Sequence, residues 1–433
     1  MRFADAVADL DGRQPQRMVP DLDRITALVE LLDHPERTYP SAHVTGTNGK
    51  TTTARFLGRI LCAHGLATGV YTSPHLLSVT ERLAVCDEPI DEAEFAETYS
   101  HLRPYLEEVD RRGPDRVTYF ETLTALAYLW FADKPVEAAV FEVGMGGRWD
   151  ATNVVPAKVA VFCSIDLDHP ELGSTVEEVA REKAGIVKEG ATVVVQDTAA
   201  DALPVIEART REVRATLVLR GREYSLVERT PAVGGQRITV AGMHAAYEGY
   251  VLPLHGAHQA ENAATAVVAA EAFLGRSLDE DALRQAFDGM TSPGRLEPVA
   301  RQPLVVLDGA HNPEAARALA DALPEAFRWR GLHLVVGVLD TKDVTGIVGP
   351  LASLATRADA CSNSNPKSIP PDRMAAACRA AGIEDVEEHA DVAEALGAAH
   401  AAAGEGDLIL VTGSLYTVAD ARPRYVPRGT EGT

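Results

Sequence analysis

The chain has 433 residues, 46% of them apolar and 24% charged, enough to bury the cores of two or three domains. Its 63 acidic against 41 basic residues give a formal charge of −22, which argues against a nucleic-acid or anionic-membrane surface. An anionic substrate must then be held by a local set of donors. Five cysteines, at 62, 86, 163, 361 and 378, are scattered and odd in number, with no C-x-x-C pair. That reads as neither a disulfide framework nor a zinc site. The N-terminus lacks an apolar core flanked by basic residues, and no apolar run approaches a membrane span, so a cytoplasmic protein is expected.

The first patterned segment is helical, with Leu22, Ile25, Leu28, Val29 and Leu32 on one face, and it ends near Pro35. Strand-like runs follow at 42–44, 68–71, 138–143, 159–163 and 191–195, separated by helical stretches at 51–64, 91–110, 118–132 and 175–188. This alternation predicts a doubly wound α/β domain. Residues 200–255 are Val-rich with glycines and predict short antiparallel strands; a helix runs from His258 to Leu274. Thr291-Ser292-Pro293-Gly294-Arg295 reads as a linker. Beyond it the alternation restarts at 304–307, 313–327, 332–338, 373–381, 392–403 and 408–411, predicting a second, smaller α/β domain. The polar tail after Tyr416 is expected to fray.

The stretch with the most chemical content is His43-Val44-Thr45-Gly46-Thr47-Asn48-Gly49-Lys50-Thr51-Thr52-Thr53, between a strand and a helix. Glycines at 46 and 49 let backbone N–H groups converge on phosphate oxygens at a helix N-terminus. Lys50 can reach outer phosphates, and the Thr51 hydroxyl suits Mg²⁺, although the glycine spacing is shorter than the full G-x-x-x-x-G-K-[ST] pattern. Polar clusters follow the next strands too: Thr72-Ser73-Pro74-His75-Leu76, then Glu142 to Arg148, then Asp166-Leu167-Asp168-His169. Ligands collect at the carboxyl ends of parallel strands, so these clusters read as one site. Glu142, at the end of an apolar strand, needs a metal or an ion pair to Arg148 or Lys183. His169 beside Asp166 and Asp168 is a metal candidate. By pattern alone Lys183 is a solvated lysine beside Glu182, on a helix with a capping box at Thr175 and Glu178. In the second domain Asp308 and His311 lie at a strand end, with Asn312-Pro313 starting a helix.

Together these motifs resemble the folylpolyglutamate synthase/dihydrofolate synthase family, a branch of the Mur-ligase-like ATP-dependent amide ligases, from about residue 20 to about residue 420. The likeness rests on residues 43–51, Tyr71-Thr72-Ser73-Pro74-His75-Leu76, Thr80-Glu81-Arg82 and 120–125. It continues through 142–153, Asp168-His169, 181–186, 262–265, Pro293-Gly294-Arg295 and 308–313. It implies a P-loop Mur-ligase-like central domain over 1–292 and a smaller Rossmann-like α/β C-terminal domain over 293–433.

The resemblance implies that ATP phosphorylates a substrate carboxylate and that the glutamate amine attacks the resulting acyl phosphate. Gly46, Thr47, Asn48, Gly49, Lys50, Thr51, Thr52, Asn262, Arg295 and Asp308 are then the ATP contacts. Ser73 and Glu142 hold one Mg²⁺ with Thr51 nearby, and His169 a second. Lys183 matches a lysine that the family carbamylates, and His311 lies on the ATP and acceptor side of the cleft. Lys50, Lys183, His169 and His311 are the expected catalytic set; Ser73, Pro74, His75, Arg82, Phe120 and Glu121 line the pterin-bearing substrate.

Small-molecule substrates only, with no nucleic acid or membrane and a monomeric chain, complete the expectation. Dihydropteroate glutamylation, tail extension, or both remain open, with a bifunctional enzyme favoured. A Mur ligase for nucleotide-linked precursors is disfavoured because no UDP-binding domain precedes the phosphate loop; a paralogue acting on another carboxylic acid is the other alternative. Two departures bear on it: Pro170-Glu171 shortens the segment after His169, and Ser364 to Lys367 replaces an expected Arg-containing segment.

Overall fold

A computed structural model describes residues 1–15, 19–167, 170–196 and 199–426. The chain divides into two compact units: Met1–Glu228 with Ile238–Val251 and Glu261–Gly289, and Arg229–Arg237 with Leu252–Ala260 and Met290 onward.

The first unit opens with α1 (Phe3–Asp11) and α2 (Asp23–Leu31). The apolar spacing signals only the second, because α1 buries just Ala6 and Leu10. Strands and helices then alternate: β1 (Ser41–Thr45), α3 (Lys50–Ala63), β2 (Thr68–Tyr71), β3 (Leu83–Val85), β4 (Glu88–Pro89), α4 (Glu92–Arg112), α5 (Tyr119–Asp133) and β5 (Ala138–Glu142). After them come β6 (Val159–Phe162), α6 (Val176–Lys183), β7 (Thr192–Val195), α7 (Leu203–Glu212) and β8 (Thr216–Leu219). The sheet order is β4-β3-β2-β5-β1-β6-β7-β8. Its pairings are parallel from β2 to β8, with β3 and β4 added antiparallel at one edge.

Strands covered on both faces read as continuous apolar runs, and every residue of β1, β5 and β6 is buried. Helix α5 is buried almost throughout, since it packs against α1, α2, α4 and β2 together. Strand β1 lies between β5 and β6, where the strand order reverses, so a crevice opens beyond its carboxyl end. The register sets Val44 beside Glu142 and Thr45 beside Phe162.

Residues 200–255 depart from the expected run of antiparallel strands: α7 and the parallel β8 come first. A three-stranded sheet follows, in the order β11-β10-β9, from β9 (Ser225–Ala232), β10 (Gly235–Ala241) and β11 (Ala246–Leu252). Then come α8 (Ala257–Leu274) and α9 (Glu280–Phe287), whose Phe287 meets Phe56 of α3 edge-on at 5.7 Å.

The second unit carries a six-stranded sheet with the order β12-β13-β17-β14-β15-β16, parallel except for β12. Its elements are β12 (Glu297–Arg301), β13 (Leu304–Leu307), α10 (Pro313–Ala326), β14 (Leu332–Val336), α11 (Val344–Ala352) and β15 (Arg357–Cys361). They continue as α12 (Pro371–Ala380), β16 (Asp385–His389), α13 (Val392–Ala402), β17 (Leu408–Thr412) and α14 (Leu415–Ala421). The expectation of fraying after Tyr416 fails for the described part. Ala421 is fully buried, and the buried Arg422 pairs with Glu297 at 3.1 Å, which polar composition cannot reveal.

The cysteine reading is also corrected. Cys62 and Cys86 form a disulfide with a Cα separation of 5.6 Å, while Cys163, Cys361 and Cys378 are buried free thiols. Among the described residues no helix is long and apolar enough to cross a membrane.

Candidate functional site

Between β1 and α3 the chain closes around its own glycines. Gly46 has φ 151° and Gly49 φ 87°, both in the region L side chains avoid. A Cβ on Gly46 would come within 2.7 Å of Cys163 Cβ, and one on Gly49 within 2.5 Å of Asn262 Oδ1. Asn262 of α8 is buried and accepts from Gln196 Nε2 at 3.3 Å, so α8 closes one wall of the loop. The loop is fixed to the segment after β6: Thr47 N donates to Ser164 O at 2.6 Å, and Thr47 Oγ1 donates to Asp166 O at 2.8 Å. Asn48 N donates to Ser164 Oγ at 3.4 Å. Lys50 Nζ donates to Gly46 O at 3.0 Å and Thr47 O at 3.2 Å, folding the ammonium over the loop. Thr52 is buried within the first turn of α3. Glycine-permitted backbone, a helix N-terminus and a lysine together make an anion cradle.

Glu142 lies beside this cradle at the end of β5 and is 1% exposed. Thr51 Oγ1 donates to its Oε1 at 2.7 Å, and Ser73 N donates to its Oε2 at 2.9 Å. Two sequence-predicted residues, Thr51 and Ser73, therefore converge on the Glu142 carboxylate. Arg148 instead pairs with Glu182 at 2.9 Å. Lys183 is buried, contrary to the solvated lysine read from the pattern alone: its Nζ donates to Gly46 O at 2.7 Å. The hydroxyl and carboxylate oxygens of Thr51, Ser73 and Glu142 are the hard donors that Mg²⁺ prefers, so the residues fit that ion. His169 and Asp168 lie outside the described residues.

The loop at 73–82 begins with a cis Ser73–Pro74 peptide and is closed by Thr72 N donating to Arg82 O at 2.8 Å. Arg82 Nε donates to His75 Nδ1 at 2.9 Å, and its guanidinium lies 5.4 Å from the Tyr119 ring centre. Phe120 packs over Gly144, where a Cβ would come within 2.5 Å of the ring, and 6.0 Å from the Tyr71 ring. Both Glu121 oxygens are engaged, by Arg24 Nε at 3.1 and 3.0 Å and by Thr118 N at 2.8 Å. In this structure Glu121 joins α5 to α2.

Burial first, and the Arg82 charge second, lower the His75 pKa from its ordinary 6.5 to about 4. Between those values the unfolded chain takes up a proton that the folded chain refuses. Stability from this group is full above pH 6.5 and is lost as pH falls toward about 4. His75→Gln is therefore expected to flatten the fall of the urea midpoint across that window; an unchanged slope would rule this out.

Several supporting residues carry no sequence signal because their partners are distant in the chain. Arg24 reaches Glu121, and Thr45 Oγ1 donates to Gly146 O at 2.9 Å. Asp150, buried and with its pKa raised by that burial, accepts from Met145 N and Thr152 N, both at 2.9 Å, shaping the turn after β5.

In the second unit Asp308 follows β13 and accepts from Leu296 N and Ala310 N, each at 2.8 Å. Burial raises its pKa, and the Arg295 charge opposes that shift. Arg295 lies close to Gly309, where a Cβ would come within 2.7 Å of its Nη1. His311 Nδ1 lies 2.9 Å from Gly309 O, so the ring orients by donating to that carbonyl. These three sequence-predicted residues form one local group. The 364–367 segment is braced by Ser364 N to Asp420 at 2.7 Å and Lys367 N to Asn365 at 2.8 Å.

Two other clusters are weaker sites. A groove of about 1070 Å³ between α6 and α7 includes Arg148, Arg181 and Arg209. Each pairs with a glutamate, at 2.9, 2.6 and 3.0 Å, which cancels its charge for an anion. Asp359, Glu387 and His389 have metal-like spacing, but Arg357 binds Asp359 at 2.9 Å and Glu387 at 2.6 Å.

Two family models match the chain: the Mur ligase middle domain over residues 44–270 and the Mur ligase, glutamate ligase domain over 294–415. A dihydrofolate synthase/folylpolyglutamate synthase of Mycobacterium tuberculosis is 39% identical, covering 96% of this chain and 92% of that one. Its namesake in Bacillus subtilis is 32% identical, covering 98% and 99%. The solved Mycobacterium tuberculosis folylpolyglutamate synthase complexed with ADP superposes with TM-score 0.94 at 38% identity, covering 98% of each chain. Escherichia coli FolC in complex with DHPP and ADP gives 0.87 at 31%, covering 98% and 97%.

Proposed function

Because this chain belongs to the folylpolyglutamate synthase/dihydrofolate synthase family of Mur ligases, we propose that it is an ATP-dependent ligase joining L-glutamate to a folate-pathway carboxylate. The observation that carries the reading is the convergence of Thr51 and Ser73 on buried Glu142, beside a glycine-shaped anion cradle. The named activities of the relatives support a bifunctional enzyme, accepting both dihydropteroate and a reduced folate. We place it in the cytoplasm, acting as a monomer.

The chemistry asks for alignment and charge neutralisation, with little covalent work by side chains. Backbone N–H groups of 46–51 and Lys50 receive the ATP phosphates at the α3 N-terminus. Thr51, Ser73 and Glu142 would hold Mg²⁺, which would supply positive charge to phosphoryl oxygens. Asn262 in the first unit, and separately Arg295 and Asp308 in the second, are proposed as nucleotide contacts. The 73–82 loop and Phe120 hold the pterin-bearing acid, whose carboxylate becomes an acyl phosphate. Glutamate then attacks through its amine, phosphate leaves, and His311 acts on the nucleotide and acceptor side. His169 would serve a second Mg²⁺, and Lys183 would carry a carbamate.

ADP release with Mg·ATP and glutamate tests this, comparing dihydropteroate, tetrahydrofolate and no acid. Release with both acids and none without acid is the expected result. Release with dihydropteroate alone or tetrahydrofolate alone would overturn bifunctionality. Silence with both, while ATP still binds, would overturn the folate reading in favour of another carboxylic acid.

A further inference from the structure

We propose that Arg55 of α3 selects folate acids that already carry glutamate, by holding the free α-carboxylate of the terminal glutamyl unit while its γ-carboxylate reacts beside Thr51 and Ser73. Helix α3 carries three cations, Lys50, Arg55 and Arg59. Lys50 is folded onto Gly46 O and Thr47 O, and Arg59 is engaged by Ala286 O, Asp288 O and the Asp87 carboxylate. Arg55 is half-buried, and its guanidinium makes no hydrogen bond or ion pair among the described residues. The proposal rests on the folate-ligase reading given above.

Contacts of its neighbours place Arg55. Gly58 packs on β2, where a Cβ would come within 2.2 Å of Val70 Cγ2. Helix α3 joins β1 to β2, both parallel to β5, so it runs back against them. Two residues on from Val70 cover about 6.6 Å, and four back from Gly58 about 6 Å, which sets Ala54 and Arg55 level with Thr72 and Ser73. Arg55 is also four positions after Thr51 and four before Arg59, so the three share one flank of the helix. Thr51 on Glu142 and Arg59 on Asp87 fix which way that flank faces, at its two ends. Helical side chains lean toward the N-terminus, which carries the guanidinium toward Thr51 and the Ser73 end of the 73–82 loop.

The two acid substrates differ in what they bring to this place. Dihydropteroate offers a single carboxylate, the one that reacts. A reduced folate reacts through its γ-carboxylate, and a short carbon chain joins that group to a free α-carboxylate. With the γ-carboxylate beside Thr51, the second anion falls within about one helical turn, where Arg55 stands. A chain of formal charge −22 gives a dianion no general attraction, so the added carboxylate needs a local cation. A guanidinium suits it, because its planar fork meets both carboxylate oxygens at once. Lys50, folded over the phosphate loop, is placed for phosphoryl groups instead.

The test compares the parent chain with Arg55→Gln and Arg55→Lys in initial-rate ligation of dihydropteroate, tetrahydrofolate and tetrahydrofolate diglutamate, varying ATP and glutamate in turn. Arg55→Gln is expected to lower kcat/KM for the two reduced folates roughly 10- to 100-fold relative to dihydropteroate, the loss fitting one hydrogen-bonded charge pair, and to do so through KM for the acid. Arg55→Lys should recover part of it, since lysine keeps the charge without the fork. Thermal melts of both variants should match the parent, because no hydrogen bond of the folded chain is removed. An equal loss with all three acids, a rise confined to KM for glutamate or ATP, or unchanged kinetics would overturn the proposal. Parent turnover separates this failure from that of the functional reading. A parent that ligates both kinds of acid with a variant that does not discriminate overturns Arg55 alone; a parent that ligates neither overturns both.

Discussion

Glu142→Gln is expected to lower kcat/KM for ATP by about 10²–10³-fold, the loss typical when a preorganised electrostatic contact is removed. The side chain is isosteric, and its amide can accept from Ser73 N and donate to Thr51 Oγ1, so the present hydrogen-bond positions remain fillable. What disappears is a negative charge that is 1% exposed. Replacing a buried charge by a neutral isostere does not unfold a protein that keeps its hydrogen bonds, and it can stabilise it. The variant should therefore melt within a few degrees of the parent while its Mg²⁺ requirement shifts to much higher concentration. Initial rates across a Mg²⁺ titration, beside a thermal melt, separate the two effects. Near-parental turnover with an unchanged Mg²⁺ profile would remove Glu142 from the metal assignment.

The site was legible where its residues are local in sequence. The phosphate loop, the polar run after β2 and the Glu142 strand end each announce themselves within about ten residues, because a parallel strand buried on both faces exposes polar groups only where it stops. Long-range support was not legible. Arg24 finds Glu121 across 97 positions, and nothing in either segment marks the other. The same applies to Cys62 and Cys86, which meet because β3 folds back along β2, not through their spacing. Edge elements escaped for another reason: β16 exposes most of its residues and α1 buries only two, so neither writes a strong apolar period. The tail shows composition misleading outright, since Arg422 is polar by type yet 3% exposed.

Lys183 is where pattern and structure diverge most, and it carries the second large prediction. A lysine beside Glu182 near a helix end reads as solvated, yet it is 3% exposed with Nζ on Gly46 O at 2.7 Å. Two roles suit that placement. As an ammonium it pins the phosphate loop; as a carbamate it retains one N–H for Gly46 O and presents a carboxylate-like group beyond it. Lys183→Ala is expected to lower ligation about 10²–10³-fold under either role, with nucleotide binding preserved because the loop keeps its bonds to Ser164 and Asp166. Lys183→Arg divides them: the guanidinium can still donate to Gly46 O but cannot take up carbon dioxide in this way. A carbamate predicts that Arg fails as badly as Ala, and that ¹³C-bicarbonate gives the parent, but neither variant, a carbamate resonance. Recovery of turnover in the Arg variant would leave the ammonium role and sink the carbamate. Near-normal turnover in the Ala variant would sink both, since a buried charge aimed at the phosphate loop would then have no part in the reaction.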